Sequence, residues 1–219
     1  MLDAISLALR DLFSPAFRSV LWKSLALTIG LLAALWIVLE RLAAHFITLP
    51  YPWIDTALSV LAGIGLVIGL GFLLAPVTSL FAGLFLDSIA EVVERTHYPD
   101  DPPGRDMPIG QSLASTLRFF GVVLLVNLIA LPLVFLLGFG FVIFLGANAY
   151  LLGREYFELA ALRFHDRNAA RALRLRHSGA VFVAGLAIAA FVAIPIVNLL
   201  APLFATALMV HLQKRLAAN

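Results

Sequence analysis

Apolar residues fall in long runs along this chain, and one of them, residues 57–86, contains no charged side chain. A helix needs roughly 18–20 apolar residues to cross a bilayer, and this run exceeds that length. A shorter apolar segment, 24–45, precedes it, and two more, 119–152 and 178–212, follow. Residues 2–13 follow a different pattern. Leu2, Ile5, Leu9, Leu12 and Phe13 recur at helical spacing, with Asp3, Ser6, Arg10 and Asp11 elsewhere. That pattern predicts an amphipathic helix in the bilayer interface, within an interfacial segment 1–22. Ser14-Pro15 ends it, with Ser14 placed to cap the next helix and Pro15 to open it. Segment 24–45 then reads as the first long membrane helix, with Tyr51 and Trp53 as aromatic anchors beyond it. Segment 57–86 would be ~45 Å long as a helix, against ~30 Å of hydrocarbon. It must therefore tilt, kink near Pro76, or project into water ahead of the proline-rich loop 97–108.

The two later regions are each broken near the middle by proline, at Pro132 in one and at Pro195 and Pro202 in the other. Between them lie Arg154, Arg163, Arg167, Arg171, Arg174 and Arg176, six of the fifteen basic residues. Arg10, Arg18 and Lys23 stand near the amino end, and Lys214 and Arg215 near the carboxyl end. Positively charged segments stay cytoplasmic, so both termini and the arginine-rich stretch are expected on that side. Each apolar region must then enter and leave by one face, as a helical hairpin. Arms of about 13–17 residues reach only ~20–25 Å, so these hairpins are read as partially inserted (re-entrant). Irregular backbone at such depth requires protein or water around it, which points to a homo-oligomer. The hairpins also share a pattern, Ile129-Ala130-Leu131-Pro132 matching Val192-Ala193-Ile194-Pro195.

Composition agrees with this reading. The 219 residues are 62% hydrophobic and 13% charged, where a soluble domain carries about 25% charged residues. The expectation is one all-α integral membrane domain over 1–219. Fifteen basic groups against thirteen acidic ones leave a net charge of only +2, and no basic stacking groove suggests nucleic acid. Without cysteine, disulfides, thiolate catalysis and cysteine-held metal are excluded. Hydrolase motifs and inward carboxylate pairs are also missing, so no enzyme and no cofactor is expected.

The glycines Gly63, Gly65, Gly69 and Gly71 lack the strand and the Lys-Ser/Thr of a phosphate loop. Gly65-xxx-Gly69 reads instead as a close helix-packing face. His97 with Asp100 and Asp101 reads as solvated loop charge rather than a metal site. His165 and Asp166, among the arginines, read as a polar helix beside anionic lipid. Asn127, Asn198 and Asn148 sit in apolar hairpins, where buried amides either bridge helices or line a pore. Ser14-Pro15-Ala16-Phe17-Arg18, with Lys23 beyond, combines a helix amino terminus with a guanidinium. It is either an oxyanion site at the membrane entrance or an interfacial turn whose arginine meets lipid phosphate.

Taken together, Ser14-Pro15-x-x-Arg18, Ala75-Pro76 with its following charged stretch and proline-glycine loop, and the Ile194-Pro195-Ile196-Val197-Asn198-Leu199-Leu200-Ala201-Pro202 run resemble the CysZ family of bacterial inner-membrane sulfate permeases. The resemblance implies two long transmembrane helices plus two partially inserted helical hairpins, assembled as dimers or larger oligomers. It also implies a multi-pass inner-membrane location and a sulfate or related oxyanion as the partner, for sulfur assimilation and cysteine synthesis. Its sulfate site falls at Ser14, Pro15, Ala16, Phe17 and Arg18, with Lys23 nearby. The path beyond would include Arg118, Asn127 and Asn198. Ala16 stands where the family favours glycine, and Ser19 where it has a second arginine. A membrane-shaping or scaffolding protein without transport is the alternative, because hairpins inserted in one leaflet displace lipid there.

Overall fold

The computed structural model describes residues 1–46, 52–106, 140–194 and 196–218, together with eight isolated positions between 108 and 125. Among the described residues every regular element is helical. These are α1 (Leu2–Asp11), α2 (Pro15–Phe46), α3 (Pro52–Gly83), α4 (Leu86–His97), α5 (Gly140–Leu162), α6 (Arg167–Arg176), α7 (Ser178–Val192), a 3-10 turn (Val197–Leu200) and α8 (Ala201–Ala217).

Helix α1 buries Ala4, Ala8 and Leu12 against the core, while Leu2 and Phe13 are 81% and 80% exposed. The inward stripe is thus i, i+4, i+8 with small residues, which lets α1 lie close on α8. The larger apolar side chains of the sequence pattern mostly face outward. At its end, the Ser14 N–H donates to the Asp11 carbonyl at 2.9 Å. The Phe17 N–H donates to Ser14 Oγ at 3.4 Å, so Ser14 caps α2 with Pro15 at its first position. The first long helix starts at Pro15 without a break before residue 24.

Within α2, the most apolar 18-residue window of the span 15–42 has a mean hydropathy of 2.0, and only 11% of that window is buried. Leu27, Ile29, Leu31, Ile37 and Val38 on α2, and Val60, Leu61, Ile64, Val67 and Ile68 on α3, are all exposed. An apolar surface of that extent is unusual in water, and α2 is long and apolar enough to cross a membrane. Helix α3 continues through Pro76 as a helix and stops at Gly83. A short turn then gives way to α4, where Ile89, Ala90, Val93 and Glu94 face inward.

Helices α5 and α7 form the tightest seam. A methyl added at Gly185 would lie 2.0 Å from the Ala149 carbonyl oxygen, and one at Gly153 2.7 Å from that of Val181. The two backbones are in contact there, as small-residue helix crossings allow. Nothing lies within 4 Å of a methyl added at Gly63, Gly65, Gly69 or Gly71. The close packing expected of Gly65-xxx-Gly69 is therefore corrected to Gly153 and Gly185. Among the described residues, no neighbour comes close enough to those α3 glycines to require them.

Helix α8 is the post around which the rest is built. Every residue from Ala201 to Gln213 is buried, and α1, α3, α4, α5 and α7 all pack on it. A helix apolar on all sides must be enclosed, and here protein encloses it. The 178–212 region does fold back at its prolines: α7 and α8 are joined through Ile196, whose φ of 69° is strained for a β-branched residue. Its second arm, however, is core rather than a lipid-facing rod. The tip of the 119–152 region, including Asn127 and Pro132, lies outside the described residues, as does Pro195. Its far arm, α5, runs ten residues past 152, to Leu162.

Candidate anion-binding site

At the 14–18 turn most backbone donors are already committed, the Ala16 N–H excepted. Pro15 has no N–H, and the Ser14 and Arg18 N–H groups bond the Asp11 and Ser14 carbonyls at 2.9 and 3.1 Å. Phe17 is buried and anchors the turn, whereas Pro15, Arg18 and Lys23 are exposed. The turn therefore presents the Arg18 guanidinium to an anion rather than a backbone cradle. Five positions apart on one helix, Arg18 and Lys23 differ by about 140° in direction. They do not converge.

A second place gathers positive charge. Between α5 and α6 lies a cavity of about 560 Å³ lined by Arg118, Arg154, Arg167, Arg171 and Arg174, with Glu155 and Glu158 as its acids. A neighbouring cavity of about 310 Å³ shares Tyr150, Arg154 and Arg174 and reaches Ser178 and Gly179 at the start of α7. Asp166 builds one wall by capping α6, accepting the Ala169 N–H at 2.8 Å. The cap starts a helix whose residues 167, 171 and 174 fall on one face, turned towards α5. Arg174 Nε lies 2.7 Å from Glu158 Oε1 at an angle unsuited to a hydrogen bond, and Arg154 Nε is 3.8 Å from the same oxygen. One carboxylate thus serves two guanidiniums. Glu155 lies on the charged part of α5, beyond its apolar stretch. Burial first, and Glu158 second, hold its carboxyl above the usual range, against the pull of Arg154 and Arg118. The cavity favours negative charge, but from a guest rather than from its own acids.

Arg163, from the same arginine-rich stretch, has a different task. Its Nε donates to Glu94 Oε1 at 2.7 Å, and its Nη1 to Asp87 and Asp106 at 2.7 and 3.1 Å. Burial alone would lower its pKa, yet the Glu94 bond and the neighbouring acids raise it. Glu94 also accepts the Gly104 N–H at 3.0 Å, tying the 97–106 loop to α4 and α5. Arg163 is committed to the fold.

Of the sequence candidates, Arg118 lines the cavity. Ser14, Pro15, Ala16, Phe17, Arg18 and Lys23 belong to the start of α2, which packs against α3 and α4. Asn198 is half-buried in the 3-10 turn. Asn148 spends an amide N–H on the Phe144 carbonyl of its own helix, at 2.9 Å. The arginines of α6 were readable as a group, since spacings of four and three place them on one face; no sequence signal showed that α5 covers it. His97 is not a solvated loop charge. Its Nε2 is 2.8 Å from Asp11 Oδ1, while Asp101 pairs with Lys214 at 2.9 Å.

Among curated proteins no individual sequence matches the chain. The family described as sulfate transporter CysZ/etoposide-induced protein 2.4 matches it over residues 4–202. That interval holds the 14–18 turn, the long α2 and α3, the basic cavity and the strained turn before α8. Helices throughout the described residues, a long pair of them with exposed apolar surface, and an arginine-lined cavity are in keeping with that match, and the chain belongs to the sulfate transporter CysZ/etoposide-induced protein 2.4 family.

Proposed function

We propose that the protein passes sulfate or a related oxyanion across the bacterial inner membrane, as a homo-oligomer with both termini in the cytoplasm. The observation that carries this reading is the surplus of guanidinium in the α5–α6 cavity, five arginines against two glutamates. Guanidinium offers paired N–H donors that match the oxygens of a tetrahedral oxyanion. With Glu158 shared between Arg154 and Arg174, the remaining arginines are available to such a guest. The exposed Arg18 supplies a first encounter, and Arg118 lies on the cavity side of the path. Asn127 and Asn198 complete that path as polar groups beside its apolar segments. Conduction requires binding firm enough for entry and loose enough for exit. Exposed, mutually repelling arginines meet that need better than a closed cage. No nucleotide motif is present in the sequence, so flux follows the ion gradient or a coupled ion.

Radiolabelled sulfate uptake into proteoliposomes tests the reading, comparing the native protein with Arg18→Ala and Arg171→Gln. Saturable uptake is expected, reduced about tenfold or more in each variant, since a charge-assisted contact contributes about 1.5–3 kcal/mol. Uptake unchanged in Arg171→Gln would remove the cavity from the path. A folded native protein passing no oxyanion would favour the scaffolding role.

A further inference from the structure

A second polar cluster lies apart from the basic cavity, where α1, α4 and the end of α8 meet. Asp11 Oδ1 lies 2.8 Å from His97 Nε2, and Asp11 Oδ2 lies 3.1 Å from His211 Nε2. One ligand atom from each residue falls within 4.8 Å of the others. His211 is wholly buried, and its Nδ1 lies 2.9 Å from the Tyr98 hydroxyl. The two imidazole rings meet edge to face at 4.9 Å. We propose that Asp11, His97 and His211 form a binding site for a divalent transition metal of the zinc class.

Four arguments support it. Metal–nitrogen and metal–oxygen bonds of ~2.0–2.1 Å in a tetrahedron separate neighbouring ligand atoms by about 3.3 Å. The observed 2.8 and 3.1 Å separations run to the two different oxygens of Asp11, so admitting the ion takes a small expansion and a rotation of that carboxylate, among ligand atoms that already lie within 4.8 Å of one another. Two imidazoles and one carboxylate suit zinc, nickel, copper or ferrous iron, and not calcium or magnesium, which take oxygen ligands. His211 already has the outer partner that metal-bound histidines use. With Nε2 given to the metal, its Nδ1–H donates to the Tyr98 oxygen; without metal, Nε2–H donates to Asp11 and Nδ1 accepts from Tyr98. The side chains of Asp11 and His97 are 12% and 24% exposed, which leaves a solvent side for entry and for water as a fourth ligand. The three ligands come from helices far apart in sequence, so the ion would staple α1 and α4 to the α8 post. Asp11 precedes Ser14 by three residues, so the same staple would steady the capped turn. His211 lies past residue 202, where the family match ends.

The test is a cobalt(II) titration of the full-length protein in detergent, after stripping with a chelator, read by visible absorption and independently of sulfate uptake. One Co²⁺ per chain, with the bands of a four-coordinate site and displacement by Zn²⁺, is expected. Asp11→Asn and His97→Gln keep size and polarity, and each should weaken binding on the order of 100-fold. Tyr98→Phe keeps every ligand and should weaken it by about tenfold, as loss of an outer partner does. His165→Gln should leave it unchanged. Absence of saturable Co²⁺ or Zn²⁺ binding by the folded native protein would overturn the proposal. So would undiminished affinity in Asp11→Asn and His97→Gln.

Discussion

Two helix pairs in this molecule are rich in glycine and differ in what the glycines do. In the α5–α7 seam, Gly153 and Gly185 bring two backbones into contact, and no side chain fits between them. In the α2–α3 pair, Gly30, Gly63, Gly65, Gly69 and Gly71 meet nothing within 4 Å of where a methyl would stand. The seam joins the arginine-lined wall of α5 to the body of the protein, so it is built for fixed geometry. The long pair leaves much of its apolar surface uncovered by the described protein, and apolar bulk suffices there. Glycine spacing alone does not distinguish these two settings; only the neighbour's backbone does.

The largest effect that would break this contrast is at Gly185. Gly185→Ala places a methyl 2.0 Å from the Ala149 carbonyl and 2.8 Å from Gly153 Cα, and backbone must move. A loss of about 3–5 kcal/mol is expected, read as a large fall in melting temperature in detergent, with aggregation as the extreme. A variant as stable as the native protein would mean the seam is looser than drawn. Gly69→Ala is the counterpart in α3. With open space around it, the change should stabilise the helix by up to about 1 kcal/mol. A clear loss there in the assembled protein would instead place another copy of the chain against that face.

The smallest effect concerns the wall that the seam supports. The Glu155 carboxyl titrates above its ordinary range in the fold, so the folded state holds its proton more tightly than the unfolded chain does. That stabilisation is full below the unfolded carboxylate range and is lost as pH rises through the folded value. Glu155→Gln should therefore be the more stable protein at neutral pH, with the difference shrinking as pH falls towards 4. Parallel melting curves of the two proteins across that interval would contradict the crowding of acids in the cavity.

Much of the frame was legible because apolar run length reports directly on lipid burial. A long helix through the apolar run, here Pro52–Gly83, and the Ser14 cap appear where local chemistry put them. The sequence did not reveal which apolar helix is enclosed by protein. The 178–212 region reads the same on both arms, yet α7 has exposed Phe182, Val183 and Leu186 while α8 is buried from Ala201 to Gln213. Hydropathy cannot separate lipid from protein as a solvent for leucine. The site was half legible for a related reason. Arg18 and Arg118 stand out locally, but Glu94 with Arg163, and Asp11 with His211, are pairs separated by 69 and 200 positions. Such partners are set by packing, which no short motif encodes.

Enclosure of α8 also sets the order in which the molecule can be completed during its synthesis. The helix on which α1, α3, α4, α5 and α7 all pack comes after 200 other residues have been made. At roughly 5–20 residues per second, α1 waits about 10–40 s for its post, and each later helix a correspondingly shorter time. Until α8 arrives, Ala4, Ala8, Ile89 and Phe157 each lack part of the core that will cover them. The assembly is closed from the inside, last.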